Sequence, residues 1–218
     1  MNQQLWNAVD DYFAERLIPA DPALDAAIKA SEDAGLPSIA VAPNQGKLLN
    51  LLARMSGARR ILEIGTLGGY STIWLARALP PGGHLVTLEA DQRHAEVAEA
   101  NLDRAGLSDL VEVRLGKALE VLPGIEGPFG LTFIDADKEN SAEYFRAALE
   151  RSEPGSVIVV DNVVRRGQIV REDERDAATE GIHRLHELIA GEPNVDATAL
   201  QTVGGKGYDG LTIALVTG

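Results

Sequence analysis

A glycine-rich turn between an apolar run and a helical pattern constrains the fold of this chain more than any other feature. The apolar run covers residues 61–64, the turn contains Gly65, Gly68 and Gly69, and apolar residues at helical spacing follow over residues 70–79. Glycine lacks a Cβ and accepts a positive φ, so the backbone of such a turn can approach a ligand closely. The helix that follows directs its free N–H groups at an anionic group. The sequence therefore predicts a strand, a turn and a helix that hold a nucleotide-like ligand.

The spacing of the glycines narrows the choice of ligand. A dinucleotide fingerprint requires G-x-G-x-x-G, and Leu67 occupies the position of its second glycine. The chain has E-x-G-x-x-x-G instead, beginning at Glu63, and a second acid, Glu89, ends the next apolar run at residues 84–88. This arrangement resembles motif I and the following acidic position of the Rossmann-like S-adenosylmethionine (SAM) methyltransferases. The alternative is a glycine turn in another kind of α/β protein.

The resemblance implies where SAM would lie. In that family the glycine turn holds the methionyl part of the cofactor, and the acid after the second strand, here Glu89, binds both ribose hydroxyls. The charges agree, because SAM lacks the pyrophosphate of a dinucleotide and its sulfonium and ammonium groups favour nearby carboxylates such as Glu63. We therefore expect SAM in this turn rather than NAD.

Composition disfavours several classes of partner. A net charge of −13 and an isoelectric point near 4.7 provide no basic field that would attract nucleic acid or an anionic membrane. The absence of cysteine excludes disulfides, thiolate metal sites and cysteine nucleophiles. The N-terminal residues lack a signal-peptide pattern, and no apolar run approaches the ~20 residues of a membrane helix. We expect a cytoplasmic protein with no membrane segment and a small-molecule substrate.

Apolar runs alternate with helical patterns along most of the chain. Strands are predicted near residues 60–64, 84–88, 110–115, 130–134, 156–160, 195–202 and 211–216. Helices are predicted near residues 2–17, 22–34, 44–55, 70–79, 92–105, 117–122, 140–151 and 177–190, with Asp21 and Asn44 as N-caps. Buried strands that alternate with helices favour a parallel sheet covered by helices on both faces. The glycine-rich residues 204–210 are predicted to join the last two strands as an antiparallel hairpin.

These patterns predict one α/β domain over residues 1–218, with the Rossmann-like SAM methyltransferase fold. Its seven-stranded sheet would be mostly parallel and would end in the antiparallel C-terminal hairpin. Residues 1–57 form an N-terminal helical extension, and residues 58–218 form the α/β core. The first helix of the extension has an apolar face that lies outside the α/β repeat. From this spare face and from the family, we expect a homodimer.

Polar residues follow two apolar strands at the point where each strand ends. Asp135 follows residues 131–134, and Asp161 and Asn162 follow residues 157–160. The carboxyl ends of parallel strands meet at one edge of the sheet, where ligands bind in open α/β folds. Two carboxylates and a carboxamide suit Mg²⁺, Mn²⁺ or Ca²⁺. The alternative is that each acid only caps a helix or closes a turn.

A more specific resemblance rests on four motifs taken in order. They are Gln45-Gly-Lys47, the Glu63 to Ser71 turn, Asp135-Ala-Asp-Lys138 and Asp161-Asn-Val163. Together they resemble the metal-dependent small-molecule O-methyltransferases, a group that includes the caffeoyl-CoA and catechol O-methyltransferases. The resemblance implies a metal on Asp135, Asp161 and Asn162. It implies SAM on Val41, Glu63, Gly65, Ser71, Glu89, the Ala118 backbone and Asp135, and it implies that Lys138 lies beside the reacting hydroxyl.

The chemistry implied is methyl transfer from SAM to a hydroxyl of a vicinal dihydroxy aromatic that chelates the metal. Lys138 would accept the hydroxyl proton. Two alternatives keep the fold: a tRNA hydroxyuridine O-methyltransferase, and a SAM-binding regulatory protein whose catalysis has lapsed. One departure concerns Lys117, which replaces an acid that in many relatives would face the adenine amino group.

Overall fold

The structure, a computed structural model, describes residues 2–218, with the exception of the side chain of residue 174. Its strands are β1 (Arg60–Ile64), β2 (His84–Glu89), β3 (Val111–Leu115), β4 (Leu131–Ile134), β5 (Val157–Asp161), β6 (Val195–Gly204) and β7 (Gly207–Val216). Its α-helices are α1 (Gln3–Leu17), α2 (Pro22–Asp33), α3 (Pro43–Met55), α4 (Tyr70–Ala76), α5 (Gln92–Arg104), α6 (Ala118–Val121), α7 (Ser141–Leu149) and α8 (Ala177–Gly191). Within residues 2–218 no helix has both the length and the apolar character needed to cross a membrane.

The strands form one seven-stranded sheet in the order β3-β2-β1-β4-β5-β7-β6. The pairings among β1 to β5 are parallel, and β7 runs antiparallel to both β5 and β6. The predicted fold is therefore confirmed, including the C-terminal hairpin. The strand order reverses between β1 and β4, so the crevice that binds ligands in such sheets opens there.

Two apolar layers cover the faces of the sheet. On one face Ile61 and Phe133 pack in a buried cluster with residues of α3, α4 and α5. On the other face Leu62 and Ile64 pack in a second cluster with residues of α7 and α8, among them Phe145. Successive residues of β1 thus enter opposite layers, which fixes the register of the strand and the direction in which the turn after it leaves the sheet.

The N-terminal extension differs in one detail from its prediction. Asp21 caps α2 as expected, since its carboxylate accepts hydrogen bonds from Ala23 N and Leu24 N. Asn44 is not the cap of α3, because that helix begins at Pro43 after Ala42. The Asn44 amide instead donates to the Asp10 carboxylate of α1 at 3.2 Å, so this side chain joins two helices.

The C-terminal hairpin is longer than predicted. Gly204 pairs with Gly207, so only Gly205 and Lys206 form the turn, and the remaining residues of the glycine-rich segment belong to β6 and β7. The predicted polar stretch before α8 contains short 3₁₀ turns at Arg165–Val170 and Glu172–Glu174. The division of the chain into an extension of residues 1–57 and a core of residues 58–218 stays a prediction, and residue 1 lies outside the described residues.

Helix α8 touches the backbone beside the predicted catalytic lysine at Gly181. A Cβ on Gly181 would overlap the carbonyl oxygen of Lys138 and would lie 2.8 Å from the Cα of Glu139. A Cβ on Gly191, the last residue of the same helix, would meet nothing within 4 Å. The absence of a side chain at residue 181 therefore sets how closely α8 approaches the site.

Gly181→Ala should lower the free energy of unfolding by about 1–3 kcal/mol, because the added methyl group overpacks against backbone. Alanine ordinarily stabilises a helix interior relative to glycine, so the expected sign is the reverse of the propensity effect. Urea denaturation measures the free energy of unfolding of the variant and the wild type. The matched control is Gly191→Ala, which should change that free energy by less than about 0.5 kcal/mol. Equal stability of the two variants would contradict the close packing of α8.

Candidate active site

A cleft of about 1530 Å³ opens beyond the carboxyl ends of the central strands. Its walls come from the glycine turn, the ends of β2, β4 and β5, the loop after β5 and the hairpin turn. All the predicted site residues except Glu63 line it: Val41, Gly65, Ser71, Glu89, Ala118, Asp135, Lys138, Asp161 and Asn162. The fold thus brings together side chains that are up to 121 residues apart in the sequence.

The turn after β1 lies against the end of β4. Gly65 has a φ of +98°, and a Cβ there would overlap the carbonyl oxygen of Asp135. This position therefore requires glycine for two reasons, its left-handed backbone and the close approach of the neighbouring strand. Leu67, which breaks the dinucleotide fingerprint, also has a positive φ, of 49°. The turn is a compact one that brings its backbone next to Asp135.

Glu89 fixes the glycine turn from the end of β2. One carboxylate oxygen accepts hydrogen bonds from Thr66 N at 3.2 Å and Leu67 N at 2.8 Å, and the other accepts from Asp91 N at 3.0 Å. The His94 ring nitrogen Nδ1 lies 3.6 Å from the second oxygen. Each carboxylate oxygen accepts about two bonds, so a further donor can still be accommodated at the cleft wall. Binding of ribose hydroxyls by Glu89 stays a prediction.

Glu63 lies beneath the turn and not in the cleft wall. Its side chain is fully buried, and its Oε2 accepts hydrogen bonds from the hydroxyls of Thr72 and Thr87 at 2.5 and 2.7 Å. Its Oε1 has no partner among the described residues. Burial raises the pKa of Glu63 to about 7, although hydrogen bonds from Thr72, Ser71 and Thr87 oppose the shift. The direct contact with SAM predicted for Glu63 stays a prediction, and the observed contacts support the start of α4.

The oxygen ligands predicted for a metal meet at the end of β4 and β5. Asp135 Oδ1 accepts an ion-paired hydrogen bond from Lys138 Nζ at 2.8 Å, and Lys138 is only 8% exposed. Asp161 Oδ2 accepts from Gln45 Nε2 at 2.6 Å, and its Oδ1 accepts from the backbone of Asn162 at 2.8 Å. Burial first, and then the negative charge of Asp135, raise the pKa of Asp161 to about 7.

The chemistry of this donor set fits a divalent cation. Two carboxylates that repel each other inside a buried site are stabilised by an added positive charge, and hard oxygen ligands suit Mg²⁺, Mn²⁺ and Ca²⁺. Asn162 has a φ of 59°, a conformation that asparagine tolerates better than most residues. Among the side chains that the structure describes, no three His, Cys, Asp or Glu residues cluster as a metal site. The third ligand predicted from the sequence, Asn162, is an amide.

Gln45 is a part of the site that sequence reasoning left without a role. It lies in the first turn of α3, in the N-terminal extension, and reaches Asp161 across 116 residues of sequence. The motif Gln45-Gly-Lys47 pointed to this segment of the sequence. The hydrogen bond from Gln45 to Asp161 could not be predicted, because a contact between two distant residues leaves no periodic pattern in the sequence. The extension thus contributes directly to the oxygen site.

The raised pKa of Glu63 predicts a pH dependence of stability. Glu63 binds its proton more tightly in the folded chain than in the unfolded chain, where the pKa is near 4.5. The folded chain therefore holds more protons between about pH 4.5 and 7, and the free energy of unfolding should decrease as the pH rises through that window. For a shift of this size the decrease is about 3 kcal/mol.

Glu63→Gln should remove this contribution, so that its unfolding free energy varies less with pH than that of the wild type. Urea denaturation at intervals between pH 4.5 and 8 measures the difference. Asp161 titrates in both proteins, so the difference between the two curves isolates Glu63. Parallel curves for wild type and variant would contradict the pKa shift.

Comparisons with known proteins agree with this geometry. A model of the O-methyltransferase family matches residues 19–216. The chain is 50% identical over 220 residues to a catechol O-methyltransferase of Niastella koreensis, covering 99% of this chain and 100% of that protein. It is 54% identical over 209 residues to a catechol O-methyltransferase of Mycobacterium tuberculosis, covering 95% and 94% of the two chains.

A solved structure shows the same likeness along the full length. The O-methyltransferase TomG from Streptomyces achromogenes, involved in tomaymycin synthesis and crystallised with SAM, superposes with a TM-score of 0.96 at 53% identity. The alignment covers 100% of both chains. On the family match, the identities and the shared fold, this chain belongs to the SAM-dependent O-methyltransferase family.

Proposed function

We propose that this protein transfers the methyl group of SAM to a hydroxyl of a small vicinal dihydroxy aromatic, catechol or caffeoyl-like, that is chelated to a divalent metal. The observation that carries the proposal is the convergence of Asp135, Asp161 and Asn162 beside Lys138 in a cleft shared with the glycine turn. The two relatives named catechol O-methyltransferase support the choice of acceptor.

The cofactor would lie along the glycine turn. Val41 and Ser71 line the end of the cleft at the turn, and Glu89 and Ala118 line the wall at β2 and α6. This arrangement would place the methionyl part near Gly65 and the ribose near Glu89. In the reaction the methyl carbon forms a bond to the acceptor oxygen, the carbon–sulfur bond breaks, and sulfur keeps the electron pair, which leaves S-adenosylhomocysteine.

Asp135, Asp161 and Asn162 would hold Mg²⁺, or Mn²⁺ or Ca²⁺. When bound, such an ion supplies Lewis acidity that lowers the pKa of the chelated hydroxyls. Gln45 keeps the Asp161 carboxylate in one orientation, which a ligand of an ion requires. Lys138 lies at the same carboxylate edge as an ammonium group paired with Asp135. A cation held by Asp135 would disfavour that charged form, and the neutral amine would then take the proton that the attacking hydroxyl releases. The cleft would thereby hold the acceptor oxygen and the methyl group in line.

Asp161→Asn tests the metal role with little change in shape. Loss of the charge should lower methyl transfer at saturating SAM by about 100-fold or more, since even residues that only support metal ligands contribute roughly 10 to 100-fold. The assay is transfer of labelled methyl from SAM to a caffeate-type catechol, with Mg²⁺ and with excess EDTA. Binding of S-adenosylhomocysteine, measured by calorimetry, should stay near the wild-type value.

Asp137→Asn is the matched control, because Asp137 also lines the cleft, in the loop after β4, but bonds to Tyr144 and Asn140. It should cost less than about tenfold and should leave the response to Mg²⁺ unchanged. Full EDTA-sensitive activity in Asp161→Asn would refute the metal role. A wild type that binds S-adenosylhomocysteine but methylates no catechol would redirect the search to other acceptors, hydroxylated tRNA first.

We also propose a homodimer formed through α1. No residue of this helix is buried, and one face exposes Leu5, Val9, Tyr12, Phe13 and Leu17. The neighbouring strand β6 exposes Leu200 and Val203 as well. Exposed apolar area of this kind on a soluble chain commonly marks an interface. The cytoplasmic location stays a prediction of the sequence.

Phe13→Asp should convert the dimer to a monomer, because it places a charge in the apolar centre of the proposed interface. Light scattering should give twice the mass of one chain for the wild type and a single chain mass for the variant. Asp11→Asn, on the opposite side of the helix, should remain dimeric. A monomeric wild type at micromolar concentration would exclude the dimer.

A further inference from the structure

The loop after β5 brings positive charge to the rim of the cleft. Arg165 and Arg166 line the cleft in this loop, and Lys206 lines it from the hairpin turn. The chain as a whole carries a net charge of −13, and acids such as Asp176 and Asp209 line the cleft as well. Arg165 follows the proposed metal ligand Asn162 by three residues, which places their Cα atoms within ~11 Å of each other.

The backbone of this loop is held in an unfavourable conformation. Arg165 and Arg166 both have a φ of 54°, and Gly167 continues the left-handed run with a φ of 87°. A non-glycine residue in this region is strained, and such strain persists only where the surroundings impose it. Two adjacent arginines in this conformation therefore indicate a loop whose shape is kept for the direction of its side chains.

Asp209 of β7 imposes that shape. One of its carboxylate oxygens accepts hydrogen bonds from Val164 N at 3.1 Å, Arg165 N at 3.0 Å and its neighbour Gly210 N at 3.0 Å. Hydrogen bonds from backbone N–H groups to a carboxylate are stronger than neutral ones. A single side chain of the sheet thus fixes the loop in place and compensates for its strain.

The two arginines are only partly neutralised by the protein. Arg165 faces Asp176 at 3.8 Å, a long ion pair, and its Nε is buried without a partner among the described residues. Arg166 is exposed and has no ion pair or hydrogen bond with the side chains that the structure describes. A guanidinium group with free donors can bind a carboxylate or phosphate through two parallel hydrogen bonds.

An aromatic side chain lies beside this loop. Tyr208 lines the cleft, and its ring lies 3.6 Å from the position that a Cβ on Gly167 would take. The loop and the neighbouring strand β7 therefore bring two guanidinium groups and an aromatic side chain to the cleft that also contains the oxygen cluster. An acceptor ring whose hydroxyls faced the oxygen cluster would share the cleft with these groups.

We propose that Arg165 and Arg166 form an anion subsite, so that the preferred acceptor carries a carboxylate or another anionic group on the side of its ring away from the reacting hydroxyls. The subsite rests on the proposed function for the orientation of the acceptor. Asp209 is a positioning residue of the subsite, since it acts through the backbone of the loop.

The test compares acceptors that differ only in charge. Steady-state kcat/KM is measured for 3,4-dihydroxybenzoate, for its neutral analogue 3,4-dihydroxybenzamide, and for a catechol that carries a phosphate monoester. The wild type should prefer the anionic acceptors by about tenfold or more, the size of one or two charge-assisted hydrogen bonds. The ratio of the two anionic acceptors distinguishes a carboxylate site from a phosphate site.

Arg166→Gln should reduce the preference for the benzoate about tenfold, mainly through KM, and should leave kcat/KM for the benzamide unchanged. Arg165→Gln is the second variant, in case Arg166 proves dispensable. Arg146→Gln on α7 removes the same charge from an exposed site outside the cleft and should leave the preference unchanged. A merely structural role for Arg166 would lower activity on both acceptors equally.

Calorimetric binding of the benzoate, with S-adenosylhomocysteine and Mg²⁺ present, is measured in the same proteins and requires no turnover. About tenfold weaker binding in Arg166→Gln supports the subsite even if the benzoate is a poor substrate. Equal kcat/KM for benzoate and benzamide in the wild type, with equal binding in all variants, overturns it. In that case methylation of both compounds would leave the proposed function intact, and methylation of neither would reject the proposed function as well.

Discussion

The close approach of Gly65 to Asp135 is the contact on which the site depends. Asp135 N donates a hydrogen bond to Ile64 O at 2.8 Å, which extends the β1–β4 pairing one residue beyond β4. The carbonyl oxygen of Asp135 therefore occupies the space that a side chain at residue 65 would need. The turn that would hold the sulfonium and the carboxylate that would hold the metal are therefore parts of one rigid unit. Methyl donor and acceptor oxygen need this rigidity, because transfer depends on their alignment.

Buried charge is the second constraint. Glu63 and Asp161 are both buried near the carboxyl ends of the central strands, and burial raises the pKa of each. Two kinds of hydrogen bond compensate for this burial. The hydroxyl groups of Thr72 and Thr87 donate to Glu63. Lys138 donates to the Asp135 carboxylate, and Gln45 donates to the Asp161 carboxylate. The hydroxyl groups hold the Glu63 side chain in one orientation. The negative charges of Asp135 and Asp161, which lie near each other, favour a cation between them.

The sheet and most of its helices were predictable because their apolar periodicities are local. The strand-end acids Asp135 and Asp161 were predictable for the same reason, since parallel strands align their carboxyl ends. The bond from Gln45 to Asp161, the burial of Glu63 beneath the turn and the partner of Asn44 were not, because each depends on how distant segments pack. The hairpin turn was placed too broadly, since glycines that normally signal a loop here belong to paired strands.

The hydrogen bonds that Asp209 accepts from the loop after β5 come from backbone N–H groups alone. Val164 is buried in the apolar core, but the side chains of Arg165 and Arg166 take no part in these backbone contacts. Replacement of those side chains over evolutionary time would alter what the cleft selects without disturbing the sheet, the cofactor turn or the oxygen cluster. In such a fold a few substitutions in the loop would change which acceptor binds, while the residues of the cofactor turn and the oxygen cluster stay the same.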